Sequence, residues 1–420
     1  MNTGTTARQT EPQWAELESL VGAAYFRTAR PEEAIDAIQP ACVVSPGTSE
    51  EISEILKWAV QAGVAVGVRG GGTKISWGNV PRRLDVMLSM ERFSGIAEHA
   101  WEDLVFTVKA GTTVALVQGE LGKHGQWLAL DPLWPQGSTI GGVIATNDSG
   151  ALRVRFGSVR DLILGVTIVL SSGTVARSGG KVVKNVAGYD LPKLLTGSFG
   201  TLGVITEATF RAHPLPQSER TLSFEFKDVE AANKFMLAIA NSAMVPTGVQ
   251  LRWDRSAIVD VRFEGIPIGV EAQSVQTIGL AEGARVETGE ECWGAREALW
   301  KEDSPAVVGK VSVLPGRIAA AAEAIRQSFG RSRCVIQSTG IGLLRGESDS
   351  LEHLSLAVAE LRRTLEEMNG TLVLLDAPTE LKREVDVFGP ERDSWPLMRR
   401  VKQQFDPAGV LNPGRFAGGI

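Results

Sequence analysis

The sequence predicts an α+β chain of two domains, an α/β half followed by an antiparallel sheet with helices on one face, and three features carry that expectation. The chain has 420 residues, more than one typical hydrophobic core holds. Its first half sets two glycine-rich loops among strand and helix patterns. Its second half runs strand, helix, strand and then repeats that order.

Composition narrows the function classes. Hydrophobic residues make up 43%, the net charge is −6, and the 43 Lys and Arg are scattered along the chain, so nothing marks a nucleic-acid partner. Cys42, Cys292 and Cys334 lie far apart with no metal-ligand spacing, which argues against a disulfide framework or an iron–sulfur site and for a reducing, cytoplasmic setting. The N-terminus lacks the basic start and apolar run of a signal peptide, and the longest strongly apolar window, Leu162 to Leu170, is too short for a bilayer. Membrane contact is expected only through a partner.

Residues 1–39 are polar and weakly helical, with Pro31 at a first-turn position before Glu32 and Glu33. Thr48 and Glu51 then stand in capping-box positions, and Ile52, Ile55, Leu56, Ala59 and Val60 follow at helical spacing up to Gly63. Val64 to Val68 reads as a short buried strand. Leu84 to Met90 and Leu104 to Ala110 read as strands, and Thr112 to Gly122 as a helix with Val114, Val117 and Leu121 on one face. Leu162 to Leu170 and Thr174 to Arg177 form a hairpin through Ser171-Ser172-Gly173. A helix from Asp190 to Gly197 hands over to a strand from Leu202 to Arg211.

In the second half, Leu222 to Phe226, Val249 to Trp253, Ile258 to Phe263, Val307 to Val313, Val335 to Leu343 and Leu372 to Leu375 read as strands. Helices are expected near Ala231 to Ala243, Arg317 to Phe329 and Leu354 to Met368. Ile318, Ala321, Ala322 and Ile325 read as core, and the charged run Glu360 to Glu367 as a solvated helix face.

The glycine loops are where chemistry is expected. Pro135 to Gly150 carries Gly137, Gly141, Gly142 and Gly150 among the hydroxyls of Ser138, Thr139, Thr146 and Ser149, with no Lys or Arg. Alone, such a stretch is equally a turn between two elements or a place where bare backbone N–H groups meet an anion. The second loop, Arg69-Gly-Gly-Gly-Thr-Lys74, follows a strand. Gly67 and Gly72 have Walker A spacing, but Thr73-Lys74 reverses the required order, and neither a Gly-x-Gly-x-x-Gly nor a ribose-binding acid accompanies it. That leaves a phosphate cradle of another kind, or a flexible turn.

Together the motifs resemble a known family. Gly70-Gly71-Gly72 after a strand, Pro135-x-Gly-Ser-Thr-Ile-Gly-Gly142, Arg155-Phe-Gly-x-x-Arg-Asp-x-x-Leu-Gly165, Gly188-Tyr-Asp-Leu191 and Gly197-Ser-x-Gly-Thr-Leu-Gly-x-Ile-Thr206 are similar, in order and spacing, to the FAD-binding domain of the vanillyl-alcohol oxidase and p-cresol methylhydroxylase flavoproteins. The likeness covers about Pro40 to Pro216. It implies a PCMH-type FAD-binding domain of two α/β subdomains at 40–216, a cap domain over the flavin at 217–396, an N-terminal arm at 1–39, and a segment at 397–420 that returns to the FAD domain. Within the family the chain most resembles the E-type subunits of bacterial glycolate oxidase. This implies a small 2-hydroxy acid as substrate, a second flavoprotein subunit and an iron–sulfur subunit as partners, and any inner-membrane contact through that complex.

Residue by residue, the resemblance implies that Arg69, Gly70, Gly71, Gly72, Thr73 and Lys74 wrap the FAD pyrophosphate. Pro135, Gly137, Ser138, Thr139 and Gly142 would line the isoalloxazine and ribityl side, and Ser149 and Gly150 would close that wall. Ile205 would meet the adenine through its backbone, and Asn412, in the closing segment, the flavin edge. The loop from Arg69 to Ser76 holds no His, Cys or Tyr, the side chains through which relatives tether flavin, so the FAD is expected to be non-covalent.

Relatives that oxidise 2-hydroxy acids carry a His-x-Gly-Asp-Gly-type metal motif in the cap, and none of His99, His124, His213 and His353 sits in one. No metal site and no acid–base pair is therefore assigned. Two readings stay open, a flavin subunit that handles the electrons and an assembly subunit with catalysis elsewhere, and a stand-alone oxidase of another alcohol is a third. The intact glycines favour the first.

Overall fold

The computed structural model describes residues 12–181, 189–281, 284–300 and 306–420. The run 182–188, which includes the glycine of the expected Gly-Tyr-Asp-Leu motif, lies outside the described residues, as do the first eleven positions.

The first half is built from two sheets that share a core. Phe26–Thr28, Cys42–Val44, Val86–Ser89 and Val66–Arg69 form a four-stranded sheet in that spatial order. The last three strands are parallel, and the first pairs antiparallel at the edge. The expected helix is present as Ser49–Ala62, capped by Thr48, whose Oγ1 accepts from Glu51 N at 3.1 Å. The Glu51 carboxylate reaches back to Gly47 N rather than to the cap residue itself. Gly63 ends the helix at φ 63°, where a side chain would be strained. Ile52, Ile55, Leu56 and Trp58 are buried on its inner face, each contributing about 1.5–3 kcal/mol of transfer free energy.

The second sheet orders Ile96–Ala100, Val105–Lys109, Val204–Arg211, Ile163–Val169 and Val175–Gly179, every pairing antiparallel. Helices Val114–Gly122 and Ile140–Thr146 pack beside it. Leu17 and Val21 from the N-terminal helix Pro12–Val21, and Val410 and Leu411 from the C-terminal return, belong to the same core. Leu411 forms a bridge with Val66, so the chain end lies beside the strand that feeds the Gly70–Lys74 loop.

The rest is an eight-stranded antiparallel sheet, in the order Arg285–Thr288, Ser218–Phe226, Ala257–Gly265, Gly248–Trp253, Arg331–Gln337, Ile341–Glu347, Ala306–Ser312, Thr371–Asp376. Helices Val229–Ala240, Pro267–Leu280, Ile318–Ser328 and Leu351–Glu367 cover one face with a core of their own, in which Ile318, Ala321, Ala322 and Ile325 are buried as expected. The other face sets Val335, Leu343 and Leu375 against Trp77 and Leu133 of the first half. The expected α+β arrangement is therefore present, an antiparallel sheet with helices on one face following the first domain, with a seam between that sheet and the first domain.

Two local expectations fail for physical reasons. Val335 to Leu343 is a hairpin, Arg331–Gln337 and Ile341–Glu347, turned at Gly340, whose φ of 83° suits a turn that only glycine takes without strain. Within Pro135 to Gly150, Ile140–Thr146 is helical despite two glycines and β-branched residues of low helix propensity. Burial of Ile140, Val143 and Ile144 outweighs that cost. The irregular helical segment Glu291–Trp300 carries no periodic signal in the sequence. The charged run Glu360 to Glu367 is solvated except at Leu361 and Leu365, which are buried, and Arg362, which donates to Asp386 O and Val387 O.

Candidate functional site

The two glycine loops meet. The strand Val66–Arg69 ends in the Gly70–Lys74 loop, and a Cβ on Gly71 would stand 1.7 Å from Gly137 O. A Cβ on Gly70 would stand 2.1 Å from Thr139 Oγ1. At Gly71 backbone packs on backbone, and at Gly70 the Thr139 side chain packs on backbone, which is why glycine is required. Gly72 adds a turn at φ 76°.

The N–H groups of Gly70, Gly71, Gly72, Thr73 and Lys74 donate to no acceptor among the described residues. Gly71 is exposed and Gly70, Gly72 and Thr73 are half-buried, so these donors stand open to an incoming acceptor. They edge a cavity whose opposite wall holds Ser138, Thr139 and Gly142, with Phe199 and Asn412 at its end. A second cavity shares Val68, Gly70, Thr139, Gly142, Phe199 and Asn412 with it and runs on to Met90, Gly203 and Ile205. No carboxylate lines either one. Such a donor set suits a dianionic pyrophosphate, which the free N–H groups would hold.

Most of the expected contacts converge: Gly70, Gly71, Gly72, Thr73, Lys74, Ser138, Thr139, Gly142, Ile205 and Asn412 line these cavities, and Gly137 backs Gly71. Asn412 is fixed by its N–H on Val66 O and by its amide on Phe199 O and Gly200 O, both at 3.2 Å. Arg415, just beyond, donates to Ile75 O, Asn79 O and Trp77 O. The C-terminal return therefore props the loop that follows the cradle.

Other expected contacts lie elsewhere. The Arg69 guanidinium turns to Glu33 at 3.4 Å. Pro135 lines a separate cavity in the seam. After Asn147, at φ 49°, the chain leaves the cradle, so Ser149 Oγ accepts from the Arg153 guanidinium at 2.6 Å. Gly150 packs against Asp131 and Arg296. Lys74 lines the cavity, but its ammonium turns inward to Ser138 Oγ at 2.5 Å, Leu133 O at 3.2 Å and Asp148 at 3.3 Å.

Asp148 was not singled out by the sequence reading. It is fully enclosed and accepts from Leu133 N at 2.7 Å and from Arg296 Nη2 at 3.0 Å, beside the Lys74 ammonium. Burial works against its charge, but Arg296, Lys74 and the Leu133 N–H outweigh it and hold the carboxyl below its ordinary range. It was the one acid in a stretch without Lys or Arg, and that imbalance was the available signal. Arg296 comes from the irregular segment Glu291–Trp300 and had none.

Near this pair, Lys310 rises from the cap sheet opposite Leu343 and Val373. Its half-buried side chain makes no hydrogen bond or ion pair among the described residues. Burial first, then the Arg153 guanidinium, push its pKa down to about 8. Trp77 stacks on Trp300 at 6.3 Å and Trp134 meets Trp300 edge-on at 5.0 Å, closing this side of the seam. None of the four histidines lines the two cradle cavities.

Comparison with known proteins agrees with this geometry. Residues 40–179 match a sequence family described as FAD binding domain, and residues 388–416 match one described as FAD linked oxidases, C-terminal domain. The chain is similar to the glycolate oxidase subunit GlcE of Escherichia coli, 30% identical over 329 residues that cover 77% of this chain and 84% of that one. It is also similar to the glycolate oxidase subunit GlcD of Bacillus subtilis, 28% identical over 418 residues, or 90% and 89% of the two chains. Among solved structures, p-cresol methylhydroxylase with substrate bound superposes with a TM-score of 0.76 at 15% identity, covering 97% of each chain, a likeness of fold. No helix among the described residues is long and apolar enough to cross a membrane.

Proposed function

We propose that this chain, which belongs to the family of FAD-linked oxidoreductases, is the FAD-binding, E-type subunit of a glycolate-oxidase-like complex. It takes part in oxidising a small 2-hydroxy acid to its 2-oxo acid, and the electrons leave through an iron–sulfur partner. The observation that carries the reading is the row of five unspent N–H groups facing a second glycine loop across a cavity without carboxylates. The residue contacts named above, the division at about residues 40, 217 and 397, and a cytoplasmic setting with membrane contact only through the complex belong to the same proposal.

Bound FAD would supply the two-electron acceptor. The protein's part is to hold the pyrophosphate at Gly70 to Lys74 and to offer cationic groups, Lys310 and the Arg153 guanidinium, on the seam where the acid's carboxylate would lie. Neither cradle cavity has an imidazole to take the hydroxyl proton, so turnover is expected to need the partner subunits. The FAD-loaded chain mixed alone with glycolate or D-lactate in a stopped-flow instrument should keep its yellow absorbance. Rapid bleaching by either acid would make the chain a self-sufficient dehydrogenase and end this reading.

The FAD is held without a covalent bond. Acid precipitation is expected to leave all the flavin in the supernatant, and yellow protein in the pellet would contradict this. One observation favours an assembly role with catalysis in the partner flavoprotein: Lys74 and Arg296 are already engaged by Asp148. An intact complex in which a 2-hydroxy acid reduces only the partner's flavin would decide for that role.

A further inference from the structure

The cap sheet has two end strands, and the protein finishes them differently. At one end, Leu374 N of Thr371–Asp376 donates to Val387 O at 2.8 Å. Val387 is buried in the core beneath the helices, and Arg362 of the helix Leu351–Glu367 donates to Asp386 O and Val387 O, tying the covering segment down. At the other end, Arg285–Thr288 pairs with Ser218–Phe226 on its inner side, and among the described residues nothing pairs with its outer side. A bare edge of this kind is a template for another strand.

The helix at this end carries its hydrocarbon outward. Pro267–Leu280 packs on Ser218–Phe226 and Ala257–Gly265 and buries Val270, Ser274 and Thr277, one aliphatic side chain beside two hydroxyls. Ile268 (77% exposed), Val275 (59% exposed) and Ile278 stand outside, at i, i+7 and i+10 on one stripe of the helix, and Leu280 is exposed beyond them. Val286 of the bare strand is exposed as well. It stands opposite Phe224, which belongs to the core beneath the helices, so Val286 lies on the same side of the sheet as that stripe. A run of exposed apolar side chains beside an open strand edge marks an interaction surface.

The strand complements itself in one register. Opposed residues of an antiparallel pair share a face of the sheet, so when two copies pair about a two-fold axis one residue must face its own copy. With position 285 or 287 on the axis, arginine would meet arginine or glutamate would meet glutamate, and like charges directly opposite repel. With Thr288 there, the pairing runs off the end of the strand. With Val286 there, valine meets valine, and positions 285 and 287, arginine and glutamate in the sequence, oppose each other twice. The chain already holds a joint of this kind: Gly248–Trp253 pairs antiparallel with Arg331–Gln337 in mid-sheet, and the helices Val229–Ala240 and Ile318–Ser328 pack together above it.

We propose that the bare edge is the interface of a symmetric homodimer, in which Arg285–Thr288 of one copy adds to the same strand of a second copy and Val275, Ile278, Leu280 and Val286 of both are covered over the joint. The occupant is a second copy because the charges along the strand match themselves. The proposal goes beyond the function proposed above and does not depend on it.

The test is sedimentation equilibrium of the FAD-loaded full chain, which is expected to show a dimer at micromolar concentrations. Val275→Glu on the exposed stripe and Val286→Lys on the edge should each weaken the dimer about tenfold or more, with flavin content and melting temperature unchanged, because each sets like charges from both copies in an apolar contact. The register is read separately. Val286→Cys should form a disulfide between copies on mild oxidation, since its two Cα atoms would lie about 4.5–5.5 Å apart in either kind of antiparallel pair. Glu287→Cys, whose copies would lie several residues apart along the joint, should not, and neither should the unaltered chain with its Cys292. A chain that stays monomeric, including one that uses this edge only for a different subunit, overturns the proposal, as does a dimer that both charge variants leave intact. Cross-linking at position 287 in place of 286 would overturn the register.

Discussion

Gly71→Val is expected to empty the flavin site while leaving the chain folded. The added Cβ would stand 1.7 Å from Gly137 O, a backbone atom that moves only if the two loops part. Gly71 is exposed and lies outside the core, so the strain falls on the cradle. Separating the loops costs the anion its facing wall, a loss of roughly two orders of magnitude in FAD affinity, or about 3 kcal/mol at 1.4 kcal/mol per tenfold. Gly142→Ala is the contrast. Its Cβ would meet only Thr139 Oγ1, at 3.3 Å, a neighbour that gives by a few tenths of an ångström. Titration of the flavin-free proteins with FAD checks both, and near-normal affinity in Gly71→Val would reduce the loops to ordinary turns.

Asp148→Asn should be among the most damaging single changes for stability. It keeps the shape but removes the charge that Lys74 and Arg296 share, leaving two buried cations without their common partner. Breaking a buried pair from one side typically costs about 3–5 kcal/mol. The same change is expected to loosen the cap, because Arg296 reaches Asp148 across the seam. The pH dependence has a definite sign. Asp148 is held below its unfolded pKa in the folded chain, so its contribution is present at neutral pH and is lost as pH falls through the lowered value. Urea unfolding at neutral and at acid pH should therefore show a large gap between the two proteins that narrows toward acid. A gap of the same size at both would mean that shape, not charge, was lost.

Much of the cradle was legible because its chemistry is local. Gly70, Gly71, Gly72, Ser138, Thr139 and Gly142 announce a backbone-built site through residue type alone, and glycine is needed wherever main chains touch. Of the four helices that cover the sheet, three were legible, Ile318–Ser328 through the 3.6 period of Ile318, Ala321, Ala322 and Ile325, whereas Pro267–Leu280 was missed. The hairpin at Gly340 was missed because two adjoining apolar strands read as one run, and the helix Ile140–Thr146 because burial overruled a poor local propensity.

The sequence by itself determined that two glycine loops exist, that both offer bare backbone donors and one of them no Lys or Arg, and that an antiparallel, helix-covered sheet follows. Only the tertiary structure decided where the charges went. Lys74 stands in the cradle loop and reads as a phosphate ligand, yet its ammonium is drawn inward by Asp148, and Asp148 is shared with an arginine 148 positions away. No spacing rule reports such a pairing, because an ion out of water must find its counter-charge wherever the fold brings one within reach. The seam cavity has the same origin: Gln250, Arg262 and Arg296 line one space only once the cap sheet closes on the first domain.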